Sequence, residues 1–389
     1  MTMPQFELDS VVALDLPTEV KWSERTDQYY VNCPFCRGIH KLNINKAKNL
    51  WRCAKCGEGG NSIQLHAKLK NISQKEAVSE LKDALVTGKI KFAENKDVKQ
   101  ITPVDACTRE FVYENLLSQL DLKYDHRKNL YERGLTDADI ERLMYRSYPQ
   151  SKLDEIAKNS LQGLKFDYYD GIPGFYDLST DNPFLIKHGD GYLIPVRDQH
   201  GKIEGFQVRS SKKNPDAPRY TWLSSSKMKT GCSVTGCCNI HHAGNWRRTS
   251  IPKVIGLTEG ALKADVASTI FDRLYPNEEH LFLGLTGVNN IGQLKAELEK
   301  FGKIGLEEVH IYVDMDYREK TEVAKALKKI KTIVESVDVL FYEPDEDGSS
   351  FYHDNHKQMK AEVMSWNEKY KGIDDYLFAY EVERKKRGK

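Results

Sequence analysis

Two Cys-x-x-Cys pairs, Cys33-Pro-Phe-Cys36 and Cys53-Ala-Lys-Cys56, stand with 16 residues between them, and they hold four of the chain's eight cysteines. Each pair presents two thiolates to one ion from a tight turn. Two pairs close a tetrahedron, which suits a structural zinc ion and leaves no open position for catalysis. His40 lies between the pairs and could compete for a ligand place, but an ordinary exposed histidine is the favoured reading. The run Gly231–His242 gathers Cys232, Cys237, Cys238, His241 and His242. A second metal there is the less favoured reading; buried thiols beside exposed histidines are expected instead. Cys107 is expected in a core.

A second kind of chemistry is offered by carboxylates at the ends of apolar runs. Glu259 closes KVIGLTEG, and Asp314 and Asp316 close HIYVDMD. In an extended chain residues i and i+2 share a face, so Asp314 and Asp316 can present oxygens to one side. Hard carboxylate oxygens suit magnesium or manganese, and such ions suit phosphoryl or nucleotidyl transfer.

Basic residues form two local fields. Between Cys33 and Lys75 there are Arg37, Lys41, Lys46, Lys48, Arg52, Lys55, Lys68, Lys70 and Lys75 against the single acid Glu58. Trp51 and Phe35 are interleaved with them. Lysines and arginines beside rings fit a single-strand surface of phosphate contacts and stacking, so Lys46, Lys48, Trp51 and Arg52 are candidate DNA contacts. Between Arg197 and Arg248 ten basic residues face only Asp198, Glu204 and Asp216.

These groups need elements to hold them. HKLNIN (40–45) and NLWRC (49–53) alternate as short strands between the cysteine turns. A helix is expected from Asn61 to about Leu69. Another follows from Ser73 to about Leu85, where Ser73 and Glu76 form a capping box. Residues 86–104 read as a linker. Residues 105–160 read as helical, with Thr136 capping a helix that carries Leu135, Ile140, Leu143 and Met144 on one face. Short strands and turns follow to about 248. From 252 to 345 strands and helices alternate, with VDVLFYEP as the last strand. That order predicts a parallel sheet covered by helices, an α/β fold. Residues 346–389 read as helical and polar, with a basic end.

With 389 residues the chain has room for two or three domains. A net charge of +1 excludes a uniformly basic nucleic-acid binder, so polyanion contacts must come from the local fields. No run of 18 apolar residues is present and the start lacks the pattern of a signal peptide, so no membrane span and a cytoplasmic location are expected.

CPFCRGIHKLNIN…LWRCAKCGEGGNSIQLHAKL resembles the zinc-binding domain of DnaG-type primases, where a histidine is usual at the place of Cys36. The resemblance therefore implies a four-cysteine set, as in some phage primases. Glu259, Asp314 and Asp316, in this order and spacing, resemble the Toprim domain of primases, topoisomerases and related nucleases. LYERGLTDADIERL (130–143) resembles the segment opening the primase polymerase core. LIPVRDQHGKIEGFQVR (193–209) and APRYTWLSS (217–225) resemble its later motifs, and GCSVTG falls where a Tyr-Gly is usual. The likeness runs from about 28 to 345 and is nearest to compact primases of phages and mobile elements.

The resemblance implies a zinc ribbon (28–85) after an N-terminal segment (1–27), and a linker (86–104). The N-terminal part of a polymerase core (105–250), a Toprim domain with a Rossmann-like parallel sheet (251–345) and a C-terminal helical segment (346–389) follow. It implies RNA primer synthesis on single-stranded DNA from ribonucleoside triphosphates, with structural zinc and catalytic magnesium or manganese. Glu259, Asp314 and Asp316 would hold the catalytic ion, and Arg209, Arg219, Tyr220 and Lys227 or Lys229 would line the template and nucleotide surface. Two departures stand out. The family has an aspartate four residues after the glutamate, where this chain has Lys263, with Asp265 two beyond. The third acidic motif is displaced; Asp374 and Asp375 are favoured over Asp345 and Asp347, with 346–370 as an insertion. No Walker A motif is found, so a replicative helicase is expected to be a separate protein. A Toprim nuclease and a non-catalytic DNA-binding replication protein are the alternatives.

Overall fold

The computed structural model describes residues 6–16, 28–46, 48–91, 101–164, 170–178, 182–211, 218–226, 228, 230–234, 240–244, 254–278, 280–286, 291–315, 321–341 and 355–388. Four antiparallel strands, β1 (Gln28–Val31), β2 (Leu42–Asn45), β3 (Leu50–Cys53) and β4 (Gly59–Gly60), make the first sheet in that order. The period-two pattern decides what each strand buries. In β3, Trp51 and Cys53 point inward while Leu50 and Arg52 face solvent. Helix α2 (Ser62–Lys70) starts at a capping box of Asn61 and Gln64, and α3 (Gln74–Val86) at one of Ser73 and Glu76.

The ribbon extends beyond the bounds set in sequence. Helix α1 (Leu8–Asp15), within the segment set apart as 1–27, buries Leu8, Val11 and Val12 against this unit. Asn49 fastens it, accepting from the Leu8 N–H at 2.6 Å and donating to the Phe6 carbonyl at 2.8 Å. Ile90, expected in a linker, is buried with Phe6, Val11, Ile63 and Leu81. Residues 92–100 lie outside the described residues.

The middle of the chain runs through α4 (Ala106–Ser118), α5 (Tyr124–Tyr131), α6 (Asp137–Leu143), β5 (Arg146–Ser147), α7 (Leu153–Ser160), β6 (Phe175–Tyr176) and β7 (Phe184–Leu185). Then β8 (Gly191–Arg197), β9 (Ile203–Ser210) and β10 (Tyr220–Trp222) join β5 in an antiparallel sheet of order β10-β9-β8-β5. Thr136 caps α6 as expected, with Asp139 completing the box.

The third sheet has the order β11-β13-β12-β14-β17, from β11 (Ile240–Ala243), β12 (Val254–Glu259), β13 (Leu281–Leu285), β14 (Glu308–Tyr312) and β17 (Lys360–Val363). Strands β13, β12, β14 and β17 are parallel, and β11 runs antiparallel to β13. Helices α8 (Ala261–Leu274) and α11 (Ile373–Arg387) cover one face, through Leu262, Val266, Ile270, Ile373 and Leu377. On the other face α9 (Leu294–Gly302) and α10 (Thr321–Val334) bury Leu298, Phe301, Ile330 and Val334. This is the α/β sheet between two helical layers that the alternation predicts.

Three expectations fail here. The segment 346–389 is not wholly helical: β16 (Asn355–Gln358) and β17 precede α11. The run NHKQMKAEV gives too little apolar periodicity to mark strands. The run VDVLFYEP does not join the parallel sheet, because β15 (Asp338–Phe341) pairs antiparallel with β16 and β17 takes the place beside β14. Strand β11, assigned by sequence to 105–250, also belongs to this sheet, through its pairing with β13.

Candidate metal and nucleotide centres

The ribbon turns bring the cysteine sulfurs together. Cys33 and Cys56 Sγ lie 3.9 Å apart, and Cys36 and Cys53 Sγ 3.7 Å apart. All four sulfurs fall within 4.8 Å of one another. Backbone N–H groups support them: those of Lys55 and Cys56 donate to Cys53 Sγ at 3.3 and 3.5 Å. Four soft donors in that span fit one tetrahedral zinc ion. Without a cation, burial pushes the thiols of Cys33 and Cys53 up, and that of Cys56 up to about 11. Metal must therefore displace protons to bind. His40 stays outside the cluster, exposed, with Nδ1 3.2 Å from the Tyr30 carbonyl.

The charged surface read around the ribbon changes in detail. Trp51 is only 2 % exposed, and its Nε1–H donates to the Asn61 carbonyl at 2.9 Å. It is a core residue and no stacking platform, because it shares the inward face of β3 with Cys53. Lys46 pairs with Asp9 of α1 at 2.8 Å, and Lys68 with Glu58 at 2.5 Å. Lys48 and Arg52 are exposed, as is Tyr30 on β1.

The acidic centre is built at the C-terminal edge of the parallel sheet. Strand β12 delivers Glu259 there, and Gly260, at φ +89, turns the chain directly into α8. A residue with a Cβ is disfavoured in that conformation. Asp314 follows β14 and is 7 % exposed. Asp374 sits in the first turn of α11 and is 2 % exposed. Two ties bring that turn to the sheet edge: the Met315 N–H donates to the Lys371 carbonyl at 2.9 Å, and Ile373 and Leu377 are buried against α8. Gly372 lies between the carboxylates; a Cβ there would strike Asp374 Oδ1 and stand 3.6 Å from Asp314 Oδ1. Asp375 is exposed on the next position. Asp316, Asp345 and Asp347 lie outside the described residues.

Cations already face these acids. Lys263, one turn into α8, forms an ion pair with Asp314 Oδ1, and Lys371 Nζ lies 3.3 Å from Oδ2. Burial works against the Lys263 ammonium, yet Asp314, Glu259 and Asp374 around it hold its pKa above the ordinary lysine value. Arg133 Nη1 donates to Asp374 Oδ2 at 3.0 Å. The other oxygen of Asp374 is buried with no hydrogen-bond partner. Burial, helped by Asp375 and Asp314, pushes the Asp374 carboxyl above the usual range. A buried carboxylate oxygen without a partner, beside a second carboxylate, fits a hard divalent cation. Glu259, Asp314 and Asp374 are less tightly gathered than the four cysteines. Asp265 takes no part: Tyr145 OH donates to its Oδ2 at 2.6 Å and its Oδ1 lies 2.8 Å from His241 Nε2. His241 Nδ1 accepts from the Arg197 N–H, so Nε2 carries the proton that reaches Asp265.

A cationic group is built on the antiparallel sheet. Arg209 of β9 is buried, with its guanidinium 5.4 Å from the Tyr192 ring centre and its Nε donating to Tyr220 OH at 3.3 Å. The register explains the grouping, since Arg209 pairs across to Tyr192 on β8 and Tyr220 on β10. Arg133 adjoins this group; Tyr220, Tyr192 and Asp374 all act on its charge, and its Nε is buried without a partner. Arg219 is half-buried and Tyr220 exposed. Lys227 and Lys229 lie outside the described residues.

Sequence reasoning missed Arg133 and Lys263 as members of the site. Arg133 was visible in the Arg-Gly-Leu of the segment 130–143, and Lys263 as one helical turn after Glu259. Two minor readings are also corrected. His241 and His242 are buried, paired with Asp265 and Glu297, because all four residues of β11 face the interior. Cys107 is exposed, with the Lys202 ammonium 2.7 Å from its sulfur. Cys237 and Cys238 lie outside the described residues.

Comparison with known proteins agrees with the ribbon. Residues 5–99 match the CHC2 zinc finger family, the zinc ribbon of DnaG. The DNA primase of Lactococcus lactis subsp. lactis (strain IL1403) is 28% identical over 225 residues, covering 54% of this chain and 35% of that protein. The DNA primase of Staphylococcus aureus (strain MSSA476) is 27% identical over 220 residues, covering 52% and 35%. The match thus spans about a third of the length of these relatives. The crystal structure of the Aquifex aeolicus primase, zinc-binding and RNA polymerase domains, aligns over 97% of this chain and 82% of that one, with a TM-score of 0.42 and 16% identity. No helix among the described residues is long and apolar enough to cross a membrane. Residues 5–99 of the chain match a CHC2-type zinc ribbon, and about half of the chain is similar in sequence to bacterial DNA primases.

Proposed function

We propose that this protein is a DNA primase, synthesising short RNA on single-stranded template DNA from ribonucleoside triphosphates. The observation that carries the reading is the pairing of two walls. Buried Asp314 and Asp374 stand at the C-terminal edge of a parallel sheet, and Arg133, bonded to Asp374, lies near Tyr192 and Tyr220, the tyrosines that hold Arg209. Ligands of such sheets bind at that edge. Acids alone would repel a triphosphate and bases alone would not hold a metal. The two together suit a metal-bound nucleotide.

Glu259, Asp314 and Asp374 would hold magnesium or manganese; in sequence Asp375 follows Asp374 directly and Asp316 stands two residues after Asp314. Held there, such an ion would supply positive charge for the transfer of a nucleotidyl group to the primer 3′-oxygen with pyrophosphate as the leaving group. Arg209 and Arg219 offset phosphate charge, with bidentate geometry available to each guanidinium. Lys227 and Lys229 belong to the same run and would extend the template surface. Tyr192 and Tyr220 fix the Arg209 head, so little side-chain freedom is lost on binding. The ribbon, held rigid by zinc, offers Lys48 and Arg52 to the template backbone, with Lys46 held back by Asp9. In this role the protein acts in the cytoplasm of a bacterium or phage-infected cell, beside a separate replicative helicase.

The test is direct. Purified protein is given single-stranded DNA, magnesium and the four ribonucleoside triphosphates, one labelled. Short labelled RNA is expected. Cleavage of the DNA without RNA synthesis would mean a Toprim nuclease, and a gel shift with neither product a non-catalytic DNA-binding replication protein.

A further inference from the structure

Asp314 has two oxygens and a different lysine on each. Lys263 reaches Oδ1 from α8, its side chain 24 % exposed, while Lys371, 60 % exposed, approaches Oδ2 at 3.3 Å. The two contacts are unequal. An exposed lysine pair contributes little and is easily displaced. Lys263 stands in the first turn of α8, which starts two residues after Glu259, so its mostly buried side chain begins close to the acids it pairs with. The carboxylates surrounding it are those of Glu259, Asp314 and Asp374. The counter-charge of this edge is therefore in part covalently attached.

We propose that the Lys263 ammonium permanently fills one cation place at the acidic edge, so that the site takes a single divalent ion. This rests on the reading of Glu259, Asp314 and Asp374 as the metal-holding group. The ion would take Asp314 Oδ2, displacing Lys371, and the unpartnered Oδ1 of Asp374. Lys263 keeps Asp314 Oδ1. Glu259, Asp314, Asp374 and the neighbouring Asp375 carry four negative charges; Lys263 and Arg133 offset two of them and one divalent ion the other two, so a second divalent ion would leave an excess of positive charge. Arg133 keeps the other oxygen of Asp374 and lies near Tyr192 and Tyr220.

The measurement is the number of Mn2+ ions bound, by the loss of the free-ion paramagnetic resonance signal, on zinc-replete full-length protein. Wild type should bind one Mn2+. Lys263→Asp should bind two. Lys263→Gln should still bind one, about tenfold tighter, since a unit positive charge beside the ion has been removed. Lys263→Arg should match wild type. Two ions on wild type would overturn the proposal even if the aspartate variant failed to fold. So would unchanged affinity in a folded glutamine variant. Asp314→Asn separates the two readings: if it leaves Mn2+ binding untouched, or if no Mn2+ binds wild type, the acidic edge is not the metal centre and both readings fail. If it abolishes binding while Lys263→Gln changes nothing, only the role of Lys263 falls.

Discussion

At the scale of single residues the account turns on which charges are buried and what faces them. Cys53 closes the zinc tetrahedron from β3, so Cys53→Ser should remove the zinc and unfold residues 33–60, because metal binding and folding share one free energy here. Zinc analysis and amide exchange on the full chain check this; full zinc retention would contradict the ligand set. Asp374 carries the pH dependence. Burial, with Asp375 and Asp314 nearby, raises its pKa in the folded protein, so its proton competes with a divalent ion above the ordinary aspartate range. Affinity for Mn2+ should therefore fall on acidification, starting at a higher pH than for an exposed carboxylate. Metal titrations at several pH values test this, and a pH-independent affinity would mean Asp374 is not a ligand. Trp51 shows how a residue was misread and how it could have been read correctly. Parity in β3 puts position 51 with Cys53, on the metal side, and position 52 outside. Ring type pointed to stacking; strand period, the stronger constraint, pointed to the core.

Elements decide whether these residues meet. The strand ends carrying Glu259 and Asp314 were legible because apolar runs stop abruptly at acids. The capping boxes at Ser73 and Thr136 were legible because they are local. Strands β16 and β17 were not legible, since their residues are polar and their partners lie far away in sequence. The grip of α11 on α8 was hidden for the same reason. It depends on Leu377 and on Glu381, whose carboxylate takes Arg273 at 2.9 Å. That helix holds Asp374 at the site, so Leu377→Ala should cost about 2–4 kcal/mol of stability and loosen Mn2+ binding, though Leu377 touches no ligand. Thermal melts with and without Mn2+ measure both effects; stability lost with Mn2+ affinity intact would show that α11 does not position Asp374. On the ribbon, α1 supplies an acid that sequence counting left out. Because Asp9 already pairs with Lys46, neutralising Lys48 and Arg52 should reduce the salt slope of single-strand binding by roughly 0.7 per charge, with little more from Lys46. An unchanged slope would make these side chains plain solvated surface.

For the whole molecule, the sequence indicated a four-cysteine ribbon ahead of an α/β core, and both folds are present. What it could not indicate was how the parts share edges. β11 joins the parallel sheet beside β13 while lying against β8 of the antiparallel sheet, and the buried network of Tyr145, Asp265, His241 and Arg197 ties the two sheets together. The acidic and cationic walls are thus fixed relative to each other, and deleting the ribbon through residue 91 should leave that core folded and able to bind Mn2+ while template-dependent initiation is lost. The central claim is that the carboxylates at the sheet edge perform nucleotidyl transfer. Asp314→Asn tests it most directly, removing one charge with almost no change in size. The measurement is the rate of labelled RNA synthesis on single-stranded DNA with magnesium, beside a single-strand binding isotherm for the same protein. The account predicts RNA synthesis lost by at least a hundredfold, roughly 2.7 kcal/mol of transition-state stabilisation, with DNA affinity nearly unchanged. RNA made by the variant at the wild-type rate would contradict it.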